Sequence, residues 1–177
     1  GVTGEMFIVQ ALSHPTAGFG LRVDGRETYR LAGAALIEDR LRDLFGADYL
    51  RSLKPVTFKT GGLAVHGYVS VPRISRSDRN EQYVFVNGRA TSAPVLGYAI
   101  REGYRTLLAA DRHPSVFLFL DMSSDGVDVN VHPTKREVRF SNERMLYDLL
   151  FSQIRKHLQA RQDVPVINSL NAGARRD

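Results

Sequence analysis

Val127-Asp128-Val129-Asn130-Val131-His132-Pro133-Thr134-Lys135-Arg136-Glu137-Val138-Arg139-Phe140 carries more structural information than any other stretch of this chain. Alternation sends Val127, Val129 and Val131 to one face of a strand, and Asp128, Asn130 and His132 to the other. Pro133 biases His132 toward extended backbone and cannot donate to a ladder, so the strand should break there. Thr134-Lys135-Arg136 then falls in a short loop at the end of a sheet, and Glu137 to Phe140 reads as the returning strand. A lysine in such a loop is a strongly hydrated point charge on a flexible stem, suited to touching a phosphate, although spacing alone favours an ordinary solvated lysine. His132 has no second His or Cys at ligand spacing, so no metal site is expected. Asp128 has no companion nucleophile or second carboxylate in the pattern, which argues against catalysis on that strand.

Working outward, Val116 to Leu120 is a continuous apolar run that reads as a buried strand, followed by turn chemistry at Ser123 to Gly126. The pattern predicts a helix over Ser92 to Ala110, with Leu96, Ile100, Leu107 and Leu108 on its buried side, Ser92 as cap and Pro94 in the first turn. Tyr83 to Val86 reads as a strand closed by Asn87-Gly88. Pro72 to Gln82, with five charged residues and no apolar period, reads as an exposed, mobile loop. Further upstream lie a hairpin around Gly61-Gly62, a helix over Ala34 to Phe45 stopped by Gly46, a hairpin around Asp24-Gly25 and a short helix over Phe7 to Leu12. Ser141 opens a helix whose Leu146, Leu149, Leu150, Ile154 and Leu158 form one stripe, and the tail from Asp163 is polar. These elements predict an α+β fold, a mixed β-sheet with helices packed mainly on one face.

The 177 residues suffice for one generous domain with its own core. The absence of cysteine removes disulfides, thiolate catalysis and Cys-rich zinc motifs. With no apolar run near the ~20 residues of a membrane span and no signal-like start, a cytoplasmic protein is expected, in a bacterial cytosol or nucleoid rather than a nucleus. Gly1-Val2-Thr3-Gly4 reads as a cut inside a longer protein. Lys and Arg number 24 against 19 Asp and Glu, and the net charge of +5 is compatible with an acidic partner. On an ideal wheel Arg101, Arg105 and Arg112 fall within about 40° of one another, on the side away from Leu96, Ile100 and Leu107. Arg89 lies near the start of that helix, and Arg76 and Arg79 precede it. Such a stripe can neutralise phosphates along a duplex, and a solvated helix face accounts for it equally well. No aromatics are interleaved with it, which favours backbone contact over base stacking.

Tyr83-Val84-Phe85-Val86-Asn87-Gly88-Arg89, followed at this distance by the string Val127 to Phe140, resembles the paired signature of the MutL family of DNA mismatch repair proteins. The resemblance implies a ribosomal protein S five domain two-like fold with a left-handed βαβ crossover, against the general rule for such connections. It divides the chain into a helix over 1–18 linking to an upstream ATPase domain, a transducer domain over 19–162 and a flexible tail or linker over 163–177. No Asp-x-Gly-x-Gly string or suitable glycine cluster for a GHKL ATPase occurs, so the chain is not expected to be an enzyme alone. The intact protein is expected to be a weak GHKL-type ATPase using ATP with Mg2+, with none bound to this chain alone.

By the same resemblance, Lys135 matches the lysine that reaches the γ-phosphate of ATP in the neighbouring domain, with Thr134 beside it. Asn87, Gly88, Asp128, Asn130, His132 and Pro133 would support the two loops. DNA contact, with little sequence preference, would fall to Arg76, Arg79, Arg89, Arg101, Arg105 and Arg112. Some relatives carry further basic residues after the Asn-Gly-Arg motif, whereas Ala90 to Val95 contains none. A mismatch-recognition protein of the MutS type and homodimerisation through ATP-driven closure complete the implied partners. The alternatives are an RNA-binding or ribosome-associated module of the same fold, and the transducer of a type II topoisomerase or related GHKL protein.

Overall fold

The computed structural model describes residues 8–9, 11–13, 19–23, 26–31, 37–60, 62–131 and 136–159, of which 19–23, 26–31, 124, 128–131 and 136–138 are described by backbone only. In chain order the elements are β1 (Phe19–Val23), β2 (Arg26–Leu31), α1 (Ile37–Phe45), α2 (Ala47–Arg51), β3 (Leu53–Thr60), β4 (Leu63–Ser70), β5 (Gln82–Val86) and β6 (Arg89–Ala90). They continue with α3 (Pro94–Gly103), β7 (Val116–Met122), a 3-10 turn at Ser124–Gly126, β8 (Val127–Val131), β9 (Arg136–Phe140) and α4 (Glu143–Gln159). Residues 8–9 and 11–13 are also helical.

A five-stranded sheet in the order β3-β4-β7-β5-β6 forms the centre. The β3–β4, β4–β7 and β5–β6 pairs are antiparallel, and β5 runs parallel to β7. A parallel pair needs a crossover, and α3 lies in the connection that supplies it. The continuous apolar run of β7 is buried on both faces: Val116, Leu118 and Leu120 join an aliphatic cluster, while Phe117 and Phe119 point the other way. β5 divides likewise, Val84 and Val86 from Tyr83 and Phe85. The directly opposed rings stack, Tyr83 on Phe117 at 5.6 Å and Phe85 on Phe119 at 4.9 Å between centroids.

The two longer helices cover the aliphatic face, as the pattern predicts. Leu96, Ala99 and Ile100 of α3 and Leu146, Leu150 and Ile154 of α4 complete that cluster. Their close approach depends on Gly103, where a Cβ would come within 2.7 Å of Ile154 Cγ2. The aromatic face is not open. Leu12 and Leu41 are buried against Leu53, Phe85 and Phe117, with Phe45 and Tyr49 packed around them. Among the described residues, no helix is long and apolar enough to cross a membrane.

Several expectations shift. The helix predicted over Ser92 to Ala110 ends at Gly103, and Ala93 rather than Ser92 occupies its N-cap, without a side-chain cap, although Pro94 does sit in the first turn. The early stop follows from Tyr104, which is buried at the helix end and donates its hydroxyl to the Ser70 carbonyl. Burial raises the pKa of that phenol. The next residues turn back on the helix, Leu107 N–H donating to the Tyr104 carbonyl at 2.9 Å, and Thr106 takes a φ of 71°. Leu107 is consequently exposed rather than buried. α1 is described from Ile37, residues 34–36 of the predicted span lying outside the described residues, and it does stop at Gly46, whose φ of 93° favours glycine. The short α2 has no apolar period long enough to announce it. Both predicted upstream hairpins form, β1 with β2 and β3 with β4, while Asp24, Gly25, Gly61 and the tail from Asp163 lie outside the described residues.

β4 contains one glycine that the sheet cannot replace. Gly67 has a φ of 148°, and a Cβ there would overlap the Phe117 carbonyl oxygen and approach Leu118 Cα to 3.0 Å. Both obstacles are backbone of the paired strand. Gly67→Ala is therefore expected to destabilise the chain by about 3 kcal/mol. Urea unfolding checks this, and a loss below about 0.5 kcal/mol would contradict the packing described.

Candidate nucleic-acid interface

With α3 ending at Gly103, Arg105 and Arg112 lie beyond the helix and the wheel argument for a three-arginine stripe fails. The fold nevertheless brings these residues together. Arg101 in the last turn of α3, Arg105 and Arg112 in the segment after it, and Arg79 from the segment before β5 all line one groove of about 1000 Å³. Val84, Leu96 and Ile100 lie beneath it, and Tyr98, 65% exposed, also lines it. Arg89 does not line the groove; it is exposed on β6.

The arginines differ in how much charge they can offer. Arg79 and Arg101 are exposed, and their guanidinium groups have no ion pair or hydrogen bond among the described residues. Arg112 is oriented by neutral acceptors, its Nε donating to Ser75 Oγ at 2.9 Å and a terminal nitrogen to the Ser75 carbonyl at 2.5 Å, so its charge is not cancelled. Arg105 lies 3.4 Å from Glu102 Oε1.

Arg76 behaves differently. It contacts Asp78 at 3.2 Å and Glu81 at 2.8 Å, and Glu81 also accepts a hydrogen bond from the Tyr49 hydroxyl. The bond to Asp78 raises the Arg76 pKa, and the same bond lowers that of Asp78. Burial, then the Glu81 hydrogen bond, drives the Tyr49 phenol well above its ordinary range. Arg76 also exchanges backbone hydrogen bonds of 2.8 Å with His113 in an isolated bridge. The segment over Pro72 to Gln82 is accordingly half-buried over much of its length and braced, not the exposed loop that its charges suggest, because Arg76, Asp78 and Glu81 pair within it. His113, Glu102 and Ser75 escape a reading of the sequence, since their partners lie far along the chain or beyond the helix end.

The second motif is described in part. Asn87 and Gly88 have φ of 50° and 80°, the pairing of signs that a type I′ turn requires. The Asn87 carboxamide oxygen accepts a 2.8 Å hydrogen bond from Met122 N–H, and Asn87 N–H donates to the Leu120 carbonyl at 2.8 Å. The turn thereby ties the end of β7, from which the chain leaves toward β8. β8 pairs with β9 in a sheet of its own, Asp128 opposite Arg139 and Asn130 opposite Glu137. The register closes on Val131 opposite Arg136, so residues 132–135 connect the two strands. His132, Pro133, Thr134 and Lys135 themselves lie outside the described residues. Phe140 anchors the base of this hairpin in the aliphatic cluster. Among the described residues, no three His, Asp or Glu side chains gather where they could hold a metal ion.

Arg76→Gln is expected to cost about 1 kcal/mol of folding stability, since it strips a cation from the half-buried Glu81 and Tyr49 cluster, whereas Arg101→Gln should stay within about 0.5 kcal/mol of the parent. Denaturant titration of the two variants separates a bracing arginine from a free one, and equal stabilities would refute the distinction.

Comparison with known proteins gives a consistent pattern. The family described as DNA mismatch repair protein, C-terminal domain, matches residues 41–159. The DNA mismatch repair protein MutL of Syntrophotalea carbinolica is 38% identical over 160 residues, covering 90% of this chain and 26% of that protein. MutL of Desulforudis audaxviator is 40% identical over 162 residues, covering 92% and 29%. The chain thus spans little more than a quarter of these relatives. A crystal structure of the N-terminal domain of a DNA repair protein superposes with a TM-score of 0.72 over 87% of this chain and 51% of that one, at 23% identity, which supports the fold.

Proposed function

Given that the chain belongs to the MutL family of DNA mismatch repair proteins, we propose that it is the transducer module of a mismatch repair protein, binding DNA through the arginine groove and sensing nucleotide held by a separate ATPase domain. The observation that carries the DNA-binding reading is the convergence of Arg79, Arg101, Arg105 and Arg112 on one groove. Guanidinium groups so placed match the repeating negative charge of a phosphate backbone, which gives salt-dependent affinity with little sequence preference. Arg76 contributes by holding the segment that carries Arg79, and not through a phosphate of its own. Family membership favours repair over the ribosome-associated and topoisomerase readings.

The nucleotide-sensing role is assigned to Lys135, with Thr134 beside it, in the four-residue connection between β8 and β9. In this reading ATP and Mg2+ are held by a separate ATPase domain of the intact protein. A lysine that ion-pairs with a terminal phosphate loses its partner when that phosphate leaves, and domain position then reports nucleotide state. ATP-driven closure into a homodimer and engagement of a MutS-type mismatch-recognition protein follow in the intact protein.

Two measurements test the two halves. Fluorescence anisotropy with a DNA duplex across a salt series should show log K falling with log salt, and Arg79→Gln combined with Arg101→Gln should flatten that slope by about 1.8, two phosphate contacts at about 0.9 each. An unchanged slope would return both arginines to a solvated face. In the full-length protein, Lys135→Ala should lower ATP turnover on the order of tenfold or more, while this chain carrying the same change unfolds at the parent urea concentration. Undiminished turnover refutes the sensing role.

A further inference from the structure

Glu102 is the only acidic residue among those described as lining the arginine groove. Its carboxylate lies 3.4 Å from Arg105 and 3.9 Å from Arg155. The two arginines stand in different positions. Arg155, on α4, is fixed by two further contacts, donating at 2.8 Å to the Glu102 backbone carbonyl at the end of α3 and lying over the Phe151 ring. Arg105 is 70% exposed, and Glu102 is its sole partner among the described residues.

We propose that Glu102 is a built-in competitor for nucleic-acid phosphate: it holds the Arg105 guanidinium in the free protein, yields it to a phosphate in the complex, and so sets the affinity of the groove. The inference rests on the DNA-binding reading above and names the residue that tunes it. An exposed ion pair at this separation is weak, and a phosphate offers arginine a bidentate, charge-assisted alternative. The exchange does not strand the carboxylate, because Arg155 remains beside it. Its cost is the broken pair together with repulsion between the Glu102 carboxylate and the incoming phosphate. Non-specific binding is thereby held weaker than four free arginines would make it.

Removing the competitor should strengthen binding. Glu102→Gln is expected to raise affinity for a DNA duplex about three- to fivefold at low salt, the range set by one exposed ion pair, and Glu102→Ala should do the same. The decisive measurement is the cycle with Arg105→Gln. If Glu102 acts by occupying Arg105, the loss caused by Arg105→Gln is larger in the Glu102→Gln background than in the parent. Weaker or unchanged binding by both Glu102 variants, with unfolding curves matching the parent, overturns the proposal. So does an additive cycle, which would mean that Glu102 acts through its field alone. Should the Arg79 and Arg101 double variant leave the salt slope untouched, the groove reading itself falls and takes this inference with it; a flattened slope with an additive cycle sinks only the competitor.

Discussion

Phe117 and Phe119 of β7 stack on Tyr83 and Phe85 of β5, while Val116, Leu118 and Leu120 turn to the opposite side of the same parallel pair. A strand buried on both faces needs cover on both faces. α3 and α4 provide it on the aliphatic side, and α1 with the helical residues 8–9 and 11–13 provides it on the aromatic side. Because β5 and β7 run parallel, the chain must cross over between them, and the crossover is the segment that carries Arg89, Arg101, Arg105 and Arg112. The groove is therefore a by-product of strand direction.

Burial and charge meet at the end of that crossover. Tyr104 is pulled into the core and bonded to Ser70, which ends α3 and turns Arg105 through Arg112 away from the helix line. Arg105 and Arg112 there line the same groove as Arg79, whose own segment is clamped by Arg76, Glu81 and Tyr49. One arginine is consumed as a brace so that another can remain available. The Asn87-Gly88 turn does comparable work on the far side of β5, locking the end of β7 through Met122 before the chain enters the β8–β9 hairpin.

Much of this was legible in the residues. The β3–β4 hairpin, the Asn87-Gly88 turn, the stop at Gly46 and the buried stripe of α4 all follow from local conformational preference and periodicity, properties of a few neighbouring residues. The end of α3 was not legible, because Leu107 and Leu108 continue a helical pattern and only the Ser70 carbonyl, 34 residues away, breaks it. Nor could Arg76 be told from Arg79: both are arginines in one charged segment, and their difference lies in Glu81 and the half-buried Tyr49 behind it.

By itself, then, the sequence determined most of the strand and helix inventory, the α+β class and the signature by which the family is known, since each depends on residue type and short spacing. Which arginines share a groove, which one is spent on a carboxylate, and how Glu102 comes to sit among them were decided only when the sheet had paired β5 with β7. Charge has a long reach and no periodicity of its own, so its partners are set by distances that exist only in the folded chain.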